Sequence, residues 1–199
     1  MEIKICGLKR ERDIEYVNIL KPDYVGFVFA RSQRQVSPSW AKKLIEKLDG
    51  DIKKVGVFVD LPLGQVKEIG RLCSLDILQF HGGESPEMLN NLEEEVWKAF
   101  KIKDSTSFDQ LDQYHVEGYL LDSFVKGQEG GTGKSFDWNL IPSLLEEKFL
   151  VLAGGLNIAN IDKAISGIKA RVVDVSSGVE VGGYKDFKKM KNFIKKIRG

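Results

Sequence analysis

Short apolar runs alternate with longer amphipathic stretches from one end of the chain to the other. Residues 2–6, 24–29, 54–59, 76–80, 96–102, 118–122, 149–153 and 172–176 read as strands. They are apolar nearly throughout, as strands of a parallel sheet covered on both faces should be. Between them, residues 11–20, 39–48, 63–73, 86–94, 107–114, 138–146, 158–166 and 186–197 carry helical spacing. In the last segment Phe187, Met190, Ile194 and Ile197 form one stripe, so its many lysines read as a solvated face. Eight strand–helix units predict an α/β fold, a closed parallel (β/α)8 TIM barrel rather than an open sheet. No Pro- or Ser-rich linker breaks the rhythm, so residues 1–199 are expected to form one domain.

Composition narrows the function classes. Hydrophobic residues make up 42% and charged residues 30%, enough for both a core and a charged surface. The formal net charge of +1 gives no electrostatic attraction to nucleic acid or an anionic membrane. No run approaches the roughly 18 apolar residues of a membrane span, and residues 1–6 lack the apolar core of a signal peptide. Two cysteines, Cys6 and Cys73, make no disulfide framework. A soluble, cytoplasmic protein is expected.

A parallel barrel gathers all its strand exits on one face, where the chemistry of this fold class resides. The exits carry Cys6, Arg31 with Arg34, Asp60, His81, Lys103 with Asp104, Asp122, Gly154-Gly155 and Ser176-Ser177-Gly178. Such a set suits acid–base work on a small phosphorylated anion. Cys6 ends the first strand, where a thiol can move a proton; a small buried hydrophobe is the bland alternative. Cys73, inside a helical segment, reads as core. Gly154, Gly155, Ser177 and Gly178 follow strands seven and eight, the usual phosphate loops of these barrels, with Asn157 as a candidate cap for the next helix. Two ordinary turns remain the alternative.

Strand alternation puts Leu120 and Asp122 on one face and Gln79 and His81 on another, so Asp122 can point over the barrel mouth. By the same parity Lys4 and Asp174 are expected to point inward and meet across the seam of the first and last strands. A positive charge there would favour a Cys6 thiolate. No metal-ligand spacing links Cys6, Cys73, His81 and His115. Gly127-Gln128-Glu129-Gly130-Gly131-Thr132-Gly133-Lys134-Ser135 fails as a P-loop, because Gln128 stands where glycine is needed. A mobile lid is the better expectation, a flexible surface loop the alternative. Phe27, Phe29 and Trp40 suit either core or a subunit interface.

In order and spacing the chain resembles the phosphoribosylanthranilate isomerase family of tryptophan biosynthesis. The likeness runs through Lys4-Ile5-Cys6-Gly7, Val25-Gly26-Phe27-Val28-Phe29, Ser32-Gln33-Arg34, Leu78-Gln79-Phe80-His81-Gly82 and Leu120-Leu121-Asp122. It continues in Gly130-Gly131-Thr132-Gly133-Lys134-Ser135-Phe136-Asp137-Trp138, Leu152-Ala153-Gly154-Gly155-Leu156 and Val173-Asp174-Val175-Ser176-Ser177-Gly178-Val179-Glu180. The resemblance implies a cofactor-free Amadori rearrangement of a small phosphoribosyl substrate. It makes Asp122 the general acid that opens the sugar ring and Cys6 the general base at C2. It also implies that Arg34 pairs with the anthranilate carboxylate, His81 lines the site and Asp174 lies near the sugar. A monomer or homodimer is expected. The rivals are a histidine-pathway aldose–ketose isomerase, indoleglycerol-phosphate synthase, and a non-catalytic phosphometabolite-binding barrel. The first would use two carboxylates where one strand here ends in Cys6, and the second would want a catalytic lysine.

Overall fold

The computed structural model describes residues 1–123, 137–142, 145 and 147–199. Eight parallel strands pair in chain order and close on themselves. They are β1 (Glu2–Cys6), β2 (Tyr24–Val28), β3 (Lys53–Phe58), β4 (Ile77–Phe80), β5 (Val96–Ile102), β6 (Gly118–Ser123), β7 (Leu150–Leu152) and β8 (Val172–Val175). The seam is shut by β1 against β8, in a register that sets Lys4 opposite Asp174. The expected TIM barrel is the fold found, with every strand within one residue of its expected ends.

Side-chain parity divides the strands' residues between two cores. Val55, Ile77, Trp97, Ala99, Leu120, Val151 and Val172 fill the barrel interior. Ile3, Ile5, Val25, Phe27, Leu121 and Val173 face outward against the helices. Phe27 and Phe29 are therefore core, whereas Trp40 is partly exposed and donates its indole N–H to the Lys9 carbonyl at 2.9 Å. Cys73 is buried, as expected.

The covering helices are α1 (Glu11–Leu20), α2 (Pro38–Ile45), α3 (Leu63–Leu72), α4 (Pro86–Leu89), α5 (Ile161–Gly167) and α6 (Phe187–Arg198). On α6, Met190, Phe193 and Ile194 are buried while its lysines are exposed. Four segments depart from expectation, and the first is α4, which stops at Leu89 where residues 86–94 read as helical. Residues 107–114 form no α-helix but two 3₁₀ turns, Ser105–Phe108 and Leu111–Gln113. Asp104 and Ser107 exchange side-chain hydrogen bonds with nearby backbone N–H groups there, which competes with helix formation. After Trp138–Leu140 the chain reaches Pro142, which lacks the N–H a helix would need. Asn157 does not cap α5: its Oδ1 accepts from Ala159 N in a local turn, and the helix starts only at Ile161.

One element went unanticipated. Just past β8, β9 (Glu180–Val181) and β10 (Tyr184–Lys185) form an antiparallel ribbon. Gly182 and Gly183 turn it with φ of 58° and 77°, the left-handed pair that a tight hairpin requires. The residues proposed for the lid, 127–135, lie outside the described residues. Among the described residues no helix is long and apolar enough to cross a membrane.

Candidate active site

The strand exits enclose one pocket whose walls include Cys6, Arg34, Gln79, His81, Asp122, Gly154, Gly155, Asp174 and Ser177. Cys6, Arg34, His81, Asp122 and Asp174 thus share a single cavity, which Ser177 also lines and Gly178 does not. Arg31 reaches the same rim but is exposed, as is Lys103. Asp60 turns instead to the loop after β4, where it accepts the Gly83 N–H at 2.7 Å.

Beneath the pocket lies a polar layer in an otherwise apolar barrel. The fully buried Lys4 ammonium donates to Asp174 Oδ2 at 2.6 Å and to Gln79 Oε1 at 2.8 Å. Burial, the largest influence, lowers the Lys4 pKa, but Asp174 and Cys6 together outweigh it and raise the pKa. Gln79 Nε2 lies 3.1 Å from His81 Nδ1, and His81 Nε2 lies 3.0 Å from Asp122 Oδ2. Asp122 Oδ1 accepts the Ser123 N–H at 2.8 Å. A continuous hydrogen-bonded line therefore crosses the barrel from β8 through β1 and β4 to β6. Asp174 Oδ1 is buried and, among the described residues, has no hydrogen-bond partner.

Cys6 stands above Lys4 on the same strand face. Gly26 of β2 makes room for it, since a Cβ there would come within 2.7 Å of Sγ. Lys4 does favour the thiolate, as expected, but burial outweighs its pull. Burial pushes the Cys6 thiol up, and although Lys4 pulls it down, Asp174 pushes it up again. The ammonium is already spent on a carboxylate, so the resting group is a thiol with its pKa above the ordinary value.

Arg34 is held by a residue to which the sequence reading gave no role. Its Nε and Nη2 donate to the two Glu180 oxygens, each at 2.8 Å. Glu180 also accepts from Lys185 Nζ at 2.6 Å, and Lys185 reaches back to the Ser176 carbonyl at 3.1 Å. Burial works against the Glu180 carboxylate, yet Arg34 and Lys185 outweigh it and hold its pKa down at about 2. One edge of the Arg34 fork is thereby occupied. Among the described residues Nη1 has no acceptor.

The loops after β7 and β8 abut so closely that a Cβ on Gly178 would collide with the Leu156 carbonyl oxygen. Gly155 O accepts from the side chains of Asn157 and Asn160 at 2.9 and 3.0 Å, which fixes that loop. The Gly155, Ser177 and Gly178 N–H groups have no acceptor among the described residues. Unpaired backbone donors on two adjoining loops suit a phosphate. Also among the described residues, no three His, Cys, Asp or Glu side chains group as a metal cage.

The family model for N-(5'phosphoribosyl)anthranilate (PRA) isomerase matches residues 3–196. This chain belongs to that family. The N-(5'-phosphoribosyl)anthranilate isomerase of Thermoanaerobacter pseudethanolicus is 48% identical over 200 residues, covering 100% of this chain and 98% of that one. The Clostridium acetobutylicum isomerase is 46% identical over 201 residues, with the same coverage. Among solved structures, phosphoribosyl anthranilate isomerase from Thermotoga maritima superposes with a TM-score of 0.92 at 34% identity, covering 100% and 99% of the two chains. A phosphoribosyl anthranilate isomerase in complex with reduced 1-(o-carboxyphenylamino)-1-deoxyribulose 5-phosphate matches at a TM-score of 0.88 and 32% identity, again over 100% and 99%. Membership in the isomerase family thus rests on sequence and fold across the full length of the chain.

Proposed function

We propose that this chain converts N-(5-phospho-β-D-ribosyl)anthranilate to 1-(2-carboxyphenylamino)-1-deoxy-D-ribulose 5-phosphate in tryptophan biosynthesis, with Asp122 as general acid and Cys6 as general base. The observation that carries this reading is that the two side chains face one pocket from β6 and β1, above the polar layer. Asp122 gives its proton to the furanose ring oxygen. The C1–O bond breaks as the anilino nitrogen lone pair forms a C1=N iminium. Cys6, its own thiol proton lost to solvent, then takes the proton from C2 as thiolate, and the C2 electron pair becomes the C1=C2 bond while the iminium π pair returns to nitrogen. The resulting enolamine gains a proton at C1 and loses one from the C2 hydroxyl, giving the ketone. Oxidation at C2 balances reduction at C1, so the reaction calls on no cofactor.

The raised thiol pKa is compatible with this order of events. Ring opening creates a cationic iminium beside Cys6, and a nearby positive charge favours the thiolate at the step that needs it. Arg34 Nη1 is offered to the anthranilate carboxylate, the unpartnered Asp174 Oδ1 to a sugar hydroxyl, and the Gly154, Gly155, Ser177 and Gly178 backbone to the phosphate. His81 lines the cavity beside the acid. On the same reading residues 1–199 act as one domain, because the first and last strands pair. The enzyme works in the cytoplasm as a monomer or homodimer, without a nucleic-acid or membrane partner.

The test is turnover of freshly made substrate, followed by loss of its fluorescence, for the wild type, Cys6→Ser and Asp122→Asn. Rapid wild-type turnover that falls by about 10²-fold or more in both variants, with product-analogue binding retained, is the expected result. A wild type without turnover overturns the activity, and a fully active variant removes that residue from the mechanism.

A further inference from the structure

The line Lys4–Gln79–His81–Asp122 has a defined donor direction at each step. An ammonium can only donate, so the Gln79 atom 2.8 Å from Lys4 Nζ must be the carbonyl Oε1. That leaves the amide NH₂ facing His81 Nδ1 at 3.1 Å, where the ring nitrogen must accept. A neutral imidazole that accepts at Nδ1 carries its proton on Nε2, which here faces Asp122 Oδ2 at 3.0 Å. Flipping the amide would bring two donors together at Lys4, and Lys4 is fixed from its other side by Asp174 at 2.6 Å.

We propose that Gln79 is a positioning residue that locks His81 as the Nε2–H tautomer, so that His81 donates to Asp122 and never takes the acid's proton. The inference rests on the acid role given to Asp122 above. In the other tautomer a bare Nε2 would sit within hydrogen-bond distance of the carboxyl group and compete with the substrate ring oxygen for its proton. With the lock in place, Oδ2 is oriented by a donor and the acid's proton has only the substrate to go to. Lys4 and Asp174 thus act on the acid through the Gln79 amide, from the opposite side of the barrel.

The experiment is long-range ¹H–¹⁵N correlation of the histidine ring nitrogens at pH 8, above the ordinary imidazole pKa of about 6.5. The chain has two histidines, so a His115→Gln variant assigns the His81 signals. The wild type is expected to show a protonated Nε2 and a bare Nδ1. Gln79→Glu places an acceptor opposite Nδ1 while still accepting from Lys4. It should reverse the pattern and lower kcat about tenfold or more, with KM changed less than about threefold. A wild type protonated at Nδ1 overturns the proposal without need of any variant. So does Gln79→Glu with an unchanged tautomer, or with a reversed tautomer and wild-type kcat. Should Gln79→Glu not fold, Gln79→Met, which has no amide donor, must give mixed tautomers; a single Nε2–H form there is equally fatal. Absence of wild-type turnover would sink the assigned reaction but leave the ring spectrum, and hence the lock, standing.

Discussion

Lys4 and Asp174 meet at 2.6 Å across the seam that closes the barrel, both almost wholly removed from solvent. Such a pair resists loss of one partner more than replacement of both, because a lone buried charge is left behind. Lys4→Met should therefore lower stability by about 3–5 kcal/mol, a fall in Tm of roughly 6–20 °C for a chain of this size. Lys4→Met combined with Asp174→Asn should regain part of it. Calorimetry decides; an unchanged melting temperature in the single variant would mean the pair carries no such constraint.

Cys6 carries the pH dependence. Burial, first, and Asp174 raise its thiol pKa above 9.0 in the free enzyme, despite the opposing pull of Lys4. The rate of Cys6 alkylation by iodoacetamide, which follows the free-enzyme thiolate, should still be climbing at pH 9. A profile measured from pH 6 to 10.5 that levels off by pH 7.5 would show that the thiolate is already formed at rest.

Glu180 makes two demands on experiment. Glu180→Gln loosens the clamp on Arg34, so KM should rise about tenfold (~1.4 kcal/mol) while kcat changes little. Its folded pKa of about 2 lies below the ordinary 4.5. The stability it contributes is therefore fully present above pH 4.5 and is lost as pH falls toward 2. Denaturant midpoints of wild type and Glu180→Gln should converge across that window. A constant gap between them would contradict the assignment.

Gly178 tests the phosphate loops. Gly178→Ala forces the Leu156 carbonyl and its own loop apart. Inhibition by inorganic phosphate should weaken by about tenfold, roughly 1.4 kcal/mol, and KM should rise alongside. Wild-type phosphate affinity in this variant would show that the anion sits elsewhere.

Much of this was legible in the chain before any coordinates. Strands buried on both faces leave continuous apolar runs, so β1 to β8 could be placed to within a residue. Two-residue alternation then sufficed to bring Lys4 to Asp174 over 170 positions. What stayed hidden depended on partners or on balances. Glu180 lies 146 residues from Arg34, and nothing local marks the Val181-Gly182-Gly183-Tyr184 hairpin as the device that brings them together. Parity placed Gln79 beside His81 but could not reveal that Lys4 orients its amide. The direction of the Cys6 shift escaped because it is the balance between burial and four nearby charges, Lys4, Asp174, Lys185 and Arg34, and adjacency to an ammonium gives only one of those. Residues 107–114 misled because Asp104 and Ser107 offer the backbone local partners that a helical count ignores.

The seam between β1 and β8 also sets a schedule for the ribosome. Cys6 is made well before Asp174, Glu180 and Lys185, all of which lie beyond position 170. Until that last stretch emerges, Lys4 lacks its carboxylate, Arg34 lacks its clamp and the barrel has two raw edges. A chain stalled short of β8 would hold both of its proton-transfer groups, Cys6 and Asp122, and no closed pocket in which to use them. Catalysis in this enzyme arrives only once β8 has closed the barrel.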